Sequence, residues 1–355
     1  MRKKLVSIAL ALAILVSPVY SAGGREMDVY AASVYTSTNQ ITSYLKDLLS
    51  DEGNTVAVLR TNFSLSRKTL AKCISEAALA NGRAMTVASP AYSYVARGSD
   101  YEYRVDVPPS IFTDVVLLSS EANAYKRAIR ALRDRDYSTA FYSENNMYYD
   151  IFLRAVEQHP EYNYNVTIWR SSNGTCGYRL SDDVSASEVK SQMKKADKKA
   201  DSIIVSIIKE GMTTSEKYQA IHDYLVKNTV YDIETYDSGG DDWGETYTAY
   251  GCLIDRYAVC QGYAAAFNLL CAKAGLSTIA VNGTGKGGSH AWNMVKLGSE
   301  YRYVDVTWDD PVPDRGDNVS YKYYMLTADE IGMDHKWLKT KFAVKYVKYS
   351  KYAFD

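Results

Sequence analysis

GCLIDRYAVCQGYAAAFNLLCAKAGLSTIAVNGTGKGGSHAWNMVKLGSEYRYVDVTWDDP, residues Gly251 to Pro311, carries the strongest local signals in the chain. From Cys260 to Ala274 there is no proline. The one glycine, Gly262, falls in the first turn, and alanines and leucines follow. Gly275 then offers the left-handed position that commonly ends a helix. This predicts a helix over 260–274 with Cys260 at its N-terminus. Ser277–Asn282 reads as a short strand and Gly283–Gly288 as a glycine-rich loop. Two β-rich runs follow, His290–Leu297 and Tyr301–Trp308, joined at Gly298-Ser299 as a hairpin.

Cys260, His290 and Asp305 arrive in the order nucleophile, base and orienter. A thiol nucleophile needs a base to hold it as thiolate, and the base needs a third group to fix its ring. At a helix N-terminus the free N–H groups and the dipole favour the thiolate, and the same N–H groups can hold an oxyanion. A two- or four-residue turn pairs Leu297 with Glu300 and hence Trp292 with Asp305. His290 and Asp305 then share a sheet face as diagonal neighbours, roughly 7–8 Å apart at Cα. A three-residue turn would put them on opposite faces, so the register of this hairpin decides whether the three can meet.

These residues match a known pattern. Tyr250-Gly251 ahead of Val259-Cys260-Gln261-Gly262-Tyr263-Ala264, then His290-Ala291-Trp292-Asn293, then Val304-Asp305-Val306-Thr307-Trp308-Asp309 resemble the transglutaminase-like superfamily. The upstream run Ala220–Asn228, ending in Tyr231-Asp232, is similar to the helix that precedes the core in that superfamily. The resemblance spans about residues 215–325. It implies an α+β, papain-like fold in which the nucleophile helix packs on an antiparallel sheet, with Cys260, His290 and Asp305 as the catalytic triad. It does not select a reaction, because the superfamily includes amide crosslinkers, peptidases and inactive members. Gln261 stands where animal transglutaminases carry tryptophan, so their substrate tunnel and calcium control are not carried over.

The chain begins with Arg2-Lys3-Lys4 and the apolar run Leu5–Val16, which is too short to span a bilayer. This reads as a secretory signal peptide over residues 1–31, with cleavage after Ser21, Ala22 or Ala31. No later stretch reaches the roughly 18 apolar residues of a spanning helix. A secreted or cell-surface protein is expected, with no transmembrane segment once the signal is removed. The composition, 46% hydrophobic with net charge −1, fits a large core and implies no nucleic-acid partner. About 330 mature residues point to two domains. These are set at 32–183, an N-terminal α+β domain of unknown role, and 184–355, the catalytic domain. Tyrosine is heavily used, 32 against 7 phenylalanines, which reads as a general surface bias or as glycan- or peptide-binding faces.

Residues 33–170 hold no nameable catalytic motif. Helices are expected at Gln40–Leu49, Ser66–Ala80, Glu121–Arg135 and Tyr148–Gln158, strands at Met85–Val87 and Tyr101–Val107, and a hairpin at Val166–Arg170 and Gly177–Leu180. Ser187–Glu210 reads as a lysine-rich helix with a solvated face, or alternatively a contact for an anionic wall or membrane. Thr213-Thr214-Ser215-Glu216 supplies an N-cap for the next helix, about 215–228, in which His222 reads as structural. The tail from Tyr321 alternates as one or two closing strands, Lys341–Tyr349 among them.

No cysteine spacing matches a zinc site, so no metal or cofactor is expected. Cys271 lies roughly 16 Å beyond Cys260 along one helix, so the two cannot bridge. Cys252 and Cys271 read as core residues, and a disulfide among Cys73, Cys176 and Cys252 is left open. The acidic clusters at 232–250 and at Asp309, Asp310, Asp314 and Asp317 read as solvated loops, with calcium the alternative. Substrate-cleft candidates are Gln261, Trp243, Trp292, Asn293 and Trp308, although packing is the default role of Trp308.

The expected activity is that of a cysteine-dependent amide or peptide-bond hydrolase or acyltransferase working through a thioester. Its expected partners are extracellular proteins or peptides, peptidoglycan peptides included. A non-catalytic binding or adhesion module of the same fold is the alternative. An arylamine-acetyltransferase-like enzyme shares the residue order, but its acyl-CoA donor stays in the cytosol. Hydrolysis is favoured over crosslinking, since no feature selects an amine over water.

Overall fold

The computed structural model describes residues 33–51, 53–182, 184–237, 244–313, 318–339 and 341–350. The expected signal peptide, Trp243, Asp314 and Asp317 lie outside them. The chain forms two compact units that divide between Leu117 and Leu118. Residues 118–182, assigned from sequence to the N-terminal domain, fall in the second unit.

In the first unit, α1 (Thr38–Leu49) and α2 (Arg67–Ala80) begin at Ser37 and Ser66, whose hydroxyls accept from the third helical N–H. Strands β1 (Val56–Thr61), β2 (Arg83–Met85), β3 (Tyr92–Arg97), β4 (Asp100–Asp106) and β5 (Phe112–Leu117) complete it. β4 pairs antiparallel with both β1 and β3, and β2 pairs with β5. Ile41, Leu45, Leu48 and Leu49 recur at helical spacing and pack with Leu70, Ile74, Ala57, Leu59 and Val105.

The second unit opens with α3 (Glu121–Asp134), β6 (Ala140–Tyr142), α4 (Tyr149–Gln158), β7 (Val166–Arg170) and β8 (Thr175–Leu180), with β8 between β6 and β7. α5 (Ala186–Ile207) and α6 (Thr214–Asn228) follow, and α6 starts with a full capping box from Thr213 and Glu216. β9 (Val230–Tyr231), α7 (Ile233–Asp237) and β10 (Tyr257–Ala258) lead into α8 (Cys260–Lys273). Every residue of α8 from Gly262 to Cys271 is buried, as expected of a helix that is apolar on all sides. One side packs with Ile221, Leu225 and Ala200 of the preceding helices, and the other with Val295 and Val304 of the sheet.

That sheet comprises β11 (Thr278–Gly285), β12 (Gly288–Leu297), β13 (Glu300–Val304) and the later β14 (His335–Lys336), in the order β13-β12-β11-β14. Gly298 takes φ +62° in a two-residue turn, so Leu297 pairs with Glu300 and Asn293 with Val304. This is the register that lets His290 and Asp305 share a face. Ala280, Ala291 and Val295 point to α8. Ile279, Val281, Trp292 and Met294 point the other way, into a second apolar layer with Tyr303, Ile331 and Val347.

Three expectations need correction. The run 283–288 is not a loop: β11 continues to Gly285, and only Lys286-Gly287, both at positive φ, make the turn. Its glycines serve close approach, since a Cβ on Gly283 would meet the Lys336 carbonyl at 2.2 Å. The strand expected through Trp308 ends at Val304, where Asp305 caps α9 (Val306–Asp309). The tail forms α10 (Ala328–Ile331), the two-residue β14 and the helix α11 (Lys341–Ser350) rather than long strands. Ala343, Tyr346 and Val347 recur at helical spacing, and that periodicity prevails over the apparent alternation.

A buried polar chain ties α8 to the sheet and to α4. Asn268 donates to the Gln158 carbonyl (3.0 Å) and to Glu161 Oε2 (2.8 Å), and accepts from Asn293 (3.0 Å) and Thr278 (3.1 Å). Glu161 Oε1 meets His159 Nδ1 at 2.8 Å. Replacing Asn268 by leucine strips a donor from a buried carboxylate, and should cost about 2–4 kcal/mol of unfolding free energy. Urea denaturation at neutral pH checks this, and parental stability would contradict it.

Candidate active site

Cys260 is half-buried at the first position of α8. Val259 precedes it in extended conformation with no side-chain cap, so no cap competes for the helix's opening N–H groups. The thiol packs against Ala264, Ala280 and Ala291, whose small side chains leave it room. The 245–248 segment crosses the helix start. Val259 donates to the Thr246 carbonyl at 3.1 Å, and a Cβ on Gly262 would meet that carbonyl at 2.3 Å.

His290 lies near the start of β12, 8% exposed. Its Nε2 is 2.7 Å from Asp305 Oδ2, and the Cys260 side chain lies near enough to the ring to help raise its pKa. With Nε2 engaged by the carboxylate, Nδ1 is the nitrogen open to the sulfur. Burial pushes the ring's pKa down, but the charge and hydrogen bond of Asp305, aided by Cys260, outweigh it and raise the value to about 10. Trp308 stacks on the ring at 5.0 Å and 23°, and Trp292 at 5.8 Å and 28°.

Asp305 is fully buried. Its Oδ1 accepts from the Trp308 N–H at 3.2 Å. Its Oδ2 accepts from His290 and, at 2.9 Å, from His335 Nε2. Burial opposes its charge, but the two histidines outweigh that and hold the carboxyl below the usual range.

His335 was missed in the sequence. It reaches Asp305 because β14 pairs with the end of β11, with Gly285 opposite His335. Two residues of non-local pairing leave no periodic signal. The only available clue was that His335 is one of four histidines in the chain and follows an aspartate.

The remaining candidates divide. Gln261 is half-buried, next to the thiol in the first turn of α8. Trp308 is half-buried over His290, with Lys286 Nζ 4.8 Å from its ring. Trp292 and Asn293 do not line a cleft. Each is 1% exposed, because β12 is covered on both faces. Asn293 points to α8 and donates to the Ala264 carbonyl and to Asn268. His222 is buried between Asp223 (3.0 Å) and Asp309 (3.1 Å) and clamps α6 to α9. Burial pushes its pKa down, but the two carboxylates outweigh that and raise it.

Asp309 and Asp310 have protein partners. Asp309 accepts from His222, Ser320 and the Tyr323 N–H, and Asp310 Oδ2 accepts from Tyr263 at 2.5 Å. Ligand-type atoms of His290, Asp305 and His335 converge within 4.8 Å. Their 2.7 and 2.9 Å contacts are hydrogen-bond lengths, shorter than the roughly 3.4 Å between donors about 2.1 Å from a tetrahedral zinc. All five cysteines are free thiols, and every one except Cys260 is buried. Burial pushes the Cys176 and Cys252 thiols up to about 12.

Residues 201–307 match the family described as the transglutaminase-like superfamily. The kyphoscoliosis peptidases of Homo sapiens and Mus musculus are 26% identical over 143 residues and 25% over 124, covering 36% and 32% of this chain. The chain spans about a fifth of these relatives, 21% and 18% of their lengths. Two solved structures are similar at 12% identity. One, described as a TGase, has a TM-score of 0.28 and covers 70% of this chain and 50% of its own. The other, assigned as a cysteine protease from Cytophaga hutchinsonii, has a TM-score of 0.27 and covers 73% and 74%.

Gly285 sits directly beneath the site. An added Cβ would lie 2.6 Å from Trp308 Cζ2 and 3.1 Å from His290 Cδ2, on a strand backbone that tolerates alanine. Gly285→Ala should displace the indole at a strain of about 1–3 kcal/mol. It should slow alkylation of Cys260 at pH 6 on the order of tenfold, since 1.4 kcal/mol is a factor of ten. The double variant with Trp308→Ala should regain part of the rate, and an unchanged rate in Gly285→Ala would contradict the packing.

Proposed function

We propose that this protein is a cysteine-dependent amide or peptide-bond hydrolase in which Cys260, His290 and Asp305 act as a catalytic triad. The observation that carries the reading is the position of His290, 2.7 Å from the buried Asp305 carboxylate through Nε2, with the Cys260 side chain near enough to help raise its pKa.

His290 takes the thiol proton and is stabilised as imidazolium by Asp305. The Cys260 thiolate attacks the carbonyl carbon, and the oxyanion forms beside the uncapped N–H groups of α8. His290 then donates its proton to the leaving amine or ammonia as the C–N bond breaks, leaving a thioester on Cys260. Water, deprotonated by His290, attacks the thioester carbon, and the acid departs as the thiol is re-formed. A primary amine in place of water would give a crosslink. The name of the peptidase relatives agrees with hydrolysis.

The basic, apolar start of the chain supports export. The substrates are then extracellular proteins or cell-wall peptides. Among the described residues no helix is long and apolar enough to cross a membrane.

Iodoacetamide labelling of the folded protein between pH 5 and 9, read cysteine by cysteine by mass spectrometry, tests the proposal. Cys260 should label rapidly at pH 6 and the four buried cysteines should not. His290→Ala should remove the labelling at pH 6 and leave only a rise near the unperturbed thiol value of about 8.5. A wild-type protein that already behaves like that variant would favour the non-catalytic binding module. Incubating a glutamine-containing peptide with and without hydroxylamine then separates release of ammonia to water from transfer to an amine.

A further inference from the structure

We propose that His335 is a positioning residue for Asp305: it donates to the carboxylate oxygen that His290 uses, and so sets how much of that carboxylate His290 receives. The proposal rests on the triad reading above.

Asp305 Oδ2 takes two imidazole Nε2 atoms, His290 at 2.7 Å and His335 at 2.9 Å, while Oδ1 is fixed by the Trp308 N–H. All three groups are buried, so water does not compete for these bonds. His335 is held from its far side as well. Its Nδ1 lies 2.8 Å from Asp334 Oδ1, and Asp334 Oδ2 accepts from Tyr323 at 2.7 Å. Asp334 also accepts the Lys286 N–H through its carbonyl, and the Asp305 N–H donates to the Tyr323 carbonyl. His335 therefore cannot turn away without breaking a closed ring of contacts.

Both ring nitrogens of His335 face carboxylate oxygens. Two donors on one oxygen divide its charge, and each bond is weaker than it would be alone. The charged and titratable groups around the pair are His290 on β12, Cys260 on α8, Asp334 beside β14, Tyr323 in the loop after α9, Lys286 over Trp308 and Lys322 over Tyr323. None of these donates to Oδ2 of Asp305 among the described residues except the two histidines. The second bond is thus specific to His335 and is not a general effect of the surrounding charge.

The low-field proton NMR spectrum of the 15N-histidine-labelled protein at neutral pH tests this. His222 and His159 contribute their own signals through Asp223, Asp309 and Glu161; beside these, far-downfield N–H signals assigned to Nε2 of His290 and Nε2 of His335 are expected. His335→Gln offers Asp305 a neutral amide donor in place of the ring. It should abolish the His335 signal and move the His290 signal further downfield, and His335→Leu should move it further still. Absence of a far-downfield signal assigned to His335 Nε2 in the wild-type protein would overturn the proposal, whether or not the variants fold. So would a His290 signal unmoved in both folded variants. Alkylation of Cys260 at pH 6, run on the same samples, reports on the triad reading separately. Slow wild-type labelling would sink that reading while the two signals still decide the role of His335.

Discussion

The structure around the site depends on one buried charge. Asp305 is removed from water, which by itself would cost several kcal/mol or drive the carboxyl to its neutral form. Three donors offset this: the N–H of Trp308 and the rings of His290 and His335. Each comes from a different element, so the carboxylate also fixes where α9, β12 and β14 stand. Moving any one of them leaves the charge short of a partner.

The same logic extends outward. α9 is held from the side opposite Asp305 by Asp309, which accepts from His222 on α6 and from Ser320 and Tyr323 on the following loop. Below the sheet, Asn268 and Asn293 fasten α8 to β12 and relay to Glu161 and His159. Because α8 and β12 carry Cys260 and His290, this polar seam sets the spacing of the Cys260 thiol and the His290 ring. Apolar packing alone would allow α8 to slide along the sheet; directional hydrogen bonds do not.

Much of this was legible in the chain, and the reasons are local. The two-residue turn at Gly298-Ser299 fixes the β12–β13 register, and with it the shared face of His290 and Asp305. The helix from Cys260 follows from its alanines and leucines and from Gly275 after it. What escaped was non-local or ambiguous in period. His335 joins through a two-residue strand paired 50 positions away. Trp292 and Asn293 read as cleft residues because alternation tells which face a side chain takes, but not that both faces are covered. In Lys341–Ser350 tyrosine and lysine recur so closely that periods of two and of 3.6 both fit, and only the covering of Tyr346 and Val347 decides.

The placement of the cysteines has a consequence for redox chemistry. Cys260 is the one thiol not closed off by burial, and Cys271, on the same helix, lies on the order of three turns further into the core. An oxidant reaching Cys260 therefore meets a sulfur with no resolving thiol beside it. The sulfenic acid formed there is out of reach of Cys271 on its own helix, and the other thiols are buried. It is left to external thiols or to further, irreversible oxidation. The arrangement that keeps the Cys260 sulfur out of a structural bridge also leaves it without a partner thiol on its own helix.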